Sequence, residues 1–254
     1  MRGVFVVDNP LDFLFYHSYN MSANMTISER QQHILRLVIE EFIATAEPVG
    51  SQSLTDNKDL DVSAATIRNE LRDLEDLGFL THPHTSAGRM PTEQGYRYYV
   101  DTLMKPKAPS SGEVEAIARC VAQCSDVEQA QKQVAQYIAT SLQDAVIIVR
   151  GRERLYYTGL SALFTQREFQ DYSYTISVSQ IFDHFEQNLD QMYDCITSVG
   201  PQTCIGSQNP LGSTTSLVGT RMGENDLFLI FGPLRLDYAR AVGTINYLTQ
   251  VLSQ

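Results

Sequence analysis

The stretch Ser63 to Leu80, SAATIRNELRDLEDLGFL, gathers groups that can read a nucleic-acid duplex. An arginine can donate two parallel hydrogen bonds to a guanine edge, and an asparagine can bond adenine in the same bidentate way. Arg68, Arg72 and Asn69 supply those groups, while the hydroxyls of Ser63 and Thr66 suit phosphate oxygens. At 100° per residue, Ala65, Arg68, Asn69 and Arg72 share one side of a helix, and Asp76 shares it at the C-terminal end. Ile67, Leu71, Leu74 and Leu77 form an apolar stripe opposite them. Further along, Thr85, Ser86 and Arg89 fall in the loop of a Pro- and Gly-punctuated turn, where small hydroxyls and a cation suit phosphate or minor-groove contact.

The surrounding residues are those needed to position such a helix. Ser63 is a good N-cap, and Val62 and Ile67 occupy the two positions of a hydrophobic staple. Gly78 stands where a left-handed C-cap belongs, with Phe79 placed to touch Leu74, so the helix is expected over Ala64 to Leu77. Upstream, Ser28 with Gln31 makes a capping box, and Ile34, Leu35, Val38, Phe42 and Ile43 recur at helical spacing. Pro48 and Gly50 end that helix, and a short one follows over Ser51 to Asn57. Phe79 to His82 and Arg89 to Pro91 can pair as a hairpin. Thr92 then caps a last helix with Tyr96, Tyr99, Val100 and Leu103 on one side. Three helices, a hairpin and a closing helix over residues 25–104 predict a winged helix-turn-helix, in which the N-terminal end of the reading helix meets the bases.

Charge sets the terms for that reading. The chain carries a formal net charge of −11. Thr26 to Met104 holds seven Lys and Arg against thirteen Asp and Glu, and the reading helix itself carries Glu70, Asp73, Glu75 and Asp76. Such a balance excludes a general polyanion binder and a binder of anionic membranes. It predicts modest non-specific affinity, well-placed contacts and two modules per site. A winged helix that docks proteins instead of DNA stays open on these residues, with Arg68 and Arg72 then pairing nearby acids on a solvated face.

A length of 254 residues fits two domains. Residues 1–24 are expected to be a disordered extension or a misassigned start, because Asp8, Pro10 and Asp12 interrupt their apolar runs. Neither a membrane span nor a targeting segment is found, which predicts a cytoplasmic protein. Residues 105–112, KPKAPSSG, read as a linker. Residues 113–254 read as an α+β domain, with helices on one face of an antiparallel sheet. Val146 to Val149 and Leu227 to Phe231 are its clearest strands, and Leu236 to Leu252 its closing helix. Cys120, Cys124, Cys195 and Cys204 are expected to be reduced thiols. They lack the tight spacing of a structural zinc site, and no cofactor is expected. No nucleophile elbow, P-loop, zinc-protease helix or dinucleotide fingerprint occurs, so catalysis is not expected. Arg235, Asp237 and Tyr238, after a Gly-Pro turn, suit an interface or an internal salt bridge.

The pieces MTISERQQHILRLVIEEFIATAEPVGSQSL, VSAATIRNELRDLEDLGFL and HTSAGRMPTEQGYRYYVDTL together resemble the bacterial heat-inducible transcription repressor HrcA family. LYYTGLSALFTQREFQD and ENDLFLIFGPLRLDYARAVGTINYLTQVL extend the resemblance into the second half. It implies a repressor of chaperone operons that binds double-stranded DNA at an inverted-repeat operator (the CIRCE element) as a homodimer. It also implies dependence on the GroE chaperonin, release on heat stress and a GAF-like second domain. Family members carry an inserted dimerisation segment; here Ala145 to Arg150 reaches Leu155 to Gly159 through Gly151 to Arg154 alone, so that segment is expected to be missing. A protein-interaction adaptor and a small-molecule-responsive regulator are the alternatives.

Overall fold

The computed structural model describes residues 27–55, 62–84, 88–151 and 154–252. Its first unit opens with α1, Glu29–Thr45, under a capping box between Ser28 and Gln31. A left-handed residue at Ala46 stops it. Helix α2 covers Ser51–Thr55, and α3 covers Ala64–Asp76. The Ser63 side chain caps α3 by accepting from the Thr66 N–H, and Leu77 closes it, one residue short of the expected end. Gly78 takes φ +80°, the left-handed turn that glycine makes at no steric cost. Strands β1, Leu80–Thr81, and β2, Met90–Pro91, pair antiparallel with Leu80 opposite Pro91. Helix α4, Glu93–Tyr98, starts at the Thr92 cap and runs on through a wider turn over Tyr99–Leu103.

These elements close over one apolar core. Ile34, Leu35, Val38 and Ile39 of α1 are buried with Ile67, Leu71 and Leu74 of α3 and with Phe79, Tyr96 and Tyr99. The stripe expected on α3 is therefore its buried side. Gly95 allows α4 to lie on Phe79: a Cβ there would stand 2.2 Å from the Phe79 carbonyl oxygen.

The second unit begins with α5, Ser111–Ala122, and α6, Val127–Leu142. Then come β3, Ala145–Arg150, and β4, Arg154–Thr158. Helices α7, Leu160–Leu163, α8, Tyr172–Asp183, and α9, Leu189–Cys195, follow. The chain ends with β5, Gln202–Ile205, β6, Thr215–Arg221, β7, Asp226–Pro233, and α10, Tyr238–Leu252. The five strands form one antiparallel sheet in the order β4-β3-β7-β6-β5. The α+β class expected from sequence is what the chain adopts.

Helices on one face only is an expectation the structure corrects. Val146, Ile148, Val218, Phe228 and Ile230 pack with α5, α6 and α10. Ala145, Ile147, Val149, Leu217, Leu227, Leu229 and Phe231 pack on the other side with α7, α8 and α9. A strand covered on both faces buries successive residues, and all of Ala145 to Val149 are buried. A second correction concerns sulfur. Cys195 and Cys204, expected as reduced thiols, are joined as a disulfide, because the end of α9 lies against β5. Cys120 and Cys124 are free. A third concerns the linker. Its Lys107 N–H donates to the Ala239 carbonyl at 2.9 Å, so it is laid on α10, and α5 already starts at Ser111.

In a helix interior glycine normally costs about 1 kcal/mol against alanine. Gly95→Ala is expected to reverse that sign and destabilise the protein by about 1–3 kcal/mol, since backbone must move to admit the methyl. Urea unfolding monitored by circular dichroism checks it.

Candidate nucleic-acid interface

The residues expected to read a duplex come together on α3. Ser63, Ala65, Arg68, Asn69 and Arg72 are exposed and Thr66 is half-buried. Ser63 spends its oxygen on the helix cap, and its hydroxyl also lies 3.0 Å from that of Thr66. Among the described residues, neither Arg68 nor Arg72 has a carboxylate within ion-pair distance. Arg68 and Asn69 stand in the second turn of the helix and Arg72 one turn further on, all three exposed.

The acids of the same helix divide into two groups. Glu70 is buried, and its carboxylate accepts from Arg30 Nε of α1 at 2.6 Å. Glu75 is held by Arg89, Nε to Oε2 2.8 Å, and by the ring of His82. Glu70 is thus met by a cation from α1 and Glu75 by one from the hairpin. Asp73 and Asp76 stay exposed, toward the C-terminal end.

Arg89 thus lies at the far end of α3 and apart from Arg68. Its backbone is also bonded to Val49 in both directions at 2.8 Å, which ties the hairpin to the turn before α2. Thr85 and Ser86 lie outside the described residues.

Contacts between residues distant in the chain fix this unit to the sheet. Arg235, half buried after β7, donates to Glu168 at 2.6 and 3.0 Å, to Gln166 at 3.2 Å and to the Ile43 carbonyl of α1 at 2.6 Å. It is at once the internal salt bridge and the interface residue that its position suggested. Arg97 of α4 donates to the Ile205 carbonyl at 2.8 Å and to Gln208. Ser207 donates to Glu93 at 2.6 Å, and Arg167 to Glu47 at 2.8 Å. The rings of Tyr96 and Tyr238 meet at 5.7 Å. Beside Arg235 opens a cleft of about 1000 Å3, walled by α1, residues 105–107 and the start of α10. Asp144 lies in its wall, fully buried and accepting from Gln166 Nε2 at 2.9 Å. Burial pushes its carboxyl up to about 7, against the opposing pull of the Gln166 hydrogen bond and the Arg235 charge.

Among the described residues, no three His, Cys, Asp or Glu cluster in a way that could hold a metal. No described helix is long and apolar enough to cross a membrane. Fold and face together define an α+β protein whose small helical unit turns an Arg-Asn-Arg side to solvent while locked onto a five-stranded sheet.

Residues 111–242, just over half of the chain, match the family described as HrcA protein C terminal domain. Similar proteins include the heat-inducible transcription repressor HrcA of Desulforudis audaxviator, 55% identical over 89 residues, 35% of this chain and 26% of that one. That of Natranaerobius thermophilus is 58% identical over 80 residues, 32% and 23% of the two chains. That of Shouchella clausii is 42% identical over 130 residues, 51% and 38%. The chain thus covers well under half the length of the relatives it matches. A crystal structure described as that of a hypothetical protein, at 2.2 Å resolution, shares the fold with a TM-score of 0.68 over 90% of this chain and 98% of its own, at 16% identity. The chain belongs to the HrcA family.

Because the folded protein holds a proton on Asp144 that the unfolded chain releases, stability falls as pH rises from about 4 to about 7 and is level above. Asp144→Asn removes that dependence. Its gain over the native protein in urea unfolding is expected to be larger at pH 8 than at pH 5 by about 2–3 kcal/mol.

Proposed function

We propose that the protein is a sequence-specific transcriptional repressor of heat-shock operons, with no catalytic role. Residues 25–104 act as a winged helix-turn-helix, and the sheet unit acts as a GAF-like regulatory domain. Two copies grip an inverted-repeat operator, the GroE chaperonin maintains the active form, and heat stress releases the DNA. The name carried by the relatives supports the repressor reading.

The observation that carries the DNA reading is the solvent-facing start of α3. It offers Arg68, Asn69 and Arg72 for base edges and Ser63 and Thr66 for phosphates, with Ala65 small enough for close approach. Glu70 and Glu75 are already bound to Arg30, Arg89 and His82, and Asp73 and Asp76 stay exposed toward the C-terminal end. Thr85, Ser86 and Arg89 make the accessory contacts of the wing.

Fluorescence anisotropy with an inverted-repeat duplex and a single half-site duplex tests this. Arg68→Ala is expected to cost about 1–3 kcal/mol and to relax preference at one base pair. Arg89→Ala should weaken binding evenly across sequences and lower the slope of affinity against salt. Full operator affinity retained by both Arg68→Ala and Arg72→Ala would place the interface elsewhere.

A further inference from the structure

The disulfide Cys195–Cys204 lies at the root of a contact between the two units. Cys195 ends α9 and is half-buried; Cys204 lies in β5 and is buried. The α9 side is a fixed post, since Arg221 of β6 donates to the Tyr193 carbonyl at 2.9 Å and to the Ile196 carbonyl at 2.7 Å. The β5 side is an edge strand, paired with β6 alone within the sheet. Directly after Cys204 come the residues that grip the first unit. The Ile205 carbonyl accepts from Arg97, Ser207 donates to Glu93, and Gln208 accepts from Arg97. Glu93 and Arg97 sit on α4, whose cap Thr92 donates to the Gly78 carbonyl at 2.6 Å, just past the end of α3. An unbroken series of bonds therefore runs from the sulfur pair to the reading helix.

We propose that Cys195 and Cys204 are a reversible thiol–disulfide switch, driven by a small-molecule disulfide of the glutathione class, that sets how firmly the sheet unit holds α4 and the helix α3 behind it. The Cys195 thiolate, the more accessible of the two, attacks one sulfur of the small disulfide and expels the other as a thiol. A mixed disulfide forms on Cys195. The Cys204 thiolate then attacks the Cys195 sulfur, closes the protein disulfide and expels the second small thiol. Two protein thiols and one small disulfide become one protein disulfide and two small thiols. Reduction runs the same steps backwards, with the incoming thiolate striking Cys195 and Cys204 leaving. Closed, the bond pins the edge strand to the post. Open, Ile205 keeps its pairing with β6 and residues 205–208 keep their bonds to α4, without the covalent tie to α9.

The last consequence, on operator affinity, rests on the repressor reading; the contact between units does not. The experiment uses the full chain carrying Cys120→Ser and Cys124→Ser, equilibrated with dithiothreitol or with glutathione disulfide. Alkylation and mass spectrometry count thiols, hydrogen exchange reports on residues 93–98 and 202–208, and anisotropy reports duplex binding. Glutathione disulfide is expected to remove both remaining thiols. Reduction is expected to speed exchange in both segments severalfold and to weaken inverted-repeat binding about fivefold or more, the lower end of ordinary coupling between sites. Adding Cys195→Ser should fix the reduced behaviour whatever the oxidant. Adding Arg97→Gln should leave disulfide formation intact but make exchange in 93–98 indifferent to redox state, which a merely stabilising crosslink would not do. Two thiols surviving glutathione disulfide, or exchange in 93–98 equal in both redox states of the protein that retains Arg97, would overturn the switch. Redox-independent operator binding would overturn its link to DNA. Redox-dependent exchange in a protein that binds no duplex in either state would sink the repressor reading and leave the switch standing.

Discussion

A helix rich in carboxylates can approach a polyanion only if its negative charge is held on the side away from it. Under the proposed reading that constraint falls on the first unit, where Glu70 and Glu75 are paired and Asp73 and Asp76 stay exposed near the C-terminal end of α3. At physiological salt, exposed charges are felt over about 8 Å, less than the length of α3, so where each acid sits matters more than the total. Arg30 reaches across from α1 to the buried Glu70, and Arg89 and His82 close on Glu75. Without Arg30 the buried Glu70 carboxylate would lack its cation, a loss moderated by the exposure of the arginine head to solvent. The same bonds pin α1 and the hairpin to the back of α3. Neutralisation and positioning are one arrangement here.

What the sequence discloses of this arrangement is what local chemistry encodes. Ser63 and Gly78 mark α3 because capping and left-handed turns depend on a few neighbouring residues. Periodicity separates Ile67, Leu71 and Leu74 from Arg68, Asn69 and Arg72, since 3.6 residues per turn fixes which side chains share a face. Partners distant in the chain leave no such mark. Nothing near Glu70 points to Arg30, and nothing near Arg235 points to Ile43. The run AVIIVR does announce a strand buried on both faces, but which helices cover each face depends on elements distant in the chain, and local pattern does not encode it. The cysteine pair was hidden for the same reason: spacing in sequence does not tell that α9 ends against β5.

The two units also share more than their sequences imply. Residues of α1, α3 and α4 belong to the same apolar cluster as one face of the sheet and α10. A cluster of that kind resists separation but sets orientation only loosely, because apolar contact is non-directional. Orientation comes from the polar bonds at its rim. Arg235 joins Glu168, Gln166 and the end of α1 through one planar group whose donors point in fixed directions. Arg97 and Ser207 make a second attachment at the other end of the sheet, on β5.

Two attachments of different character have different consequences. The Arg235 attachment is braced from both sides, by Glu168 and, through Gln166, by Asp144. The Arg97 attachment hangs on an edge strand, hydrogen-bonded to the sheet on one side and tied to α9 through Cys204. A body held at two points turns about the firmer one when the other slackens. The firmer point is at the end of α1, whereas the softer one lies on α4, beside the turn that follows α3. The bonds made at β5 therefore bear on α4 and the turn after α3, whereas those of Arg235 bear on the end of α1.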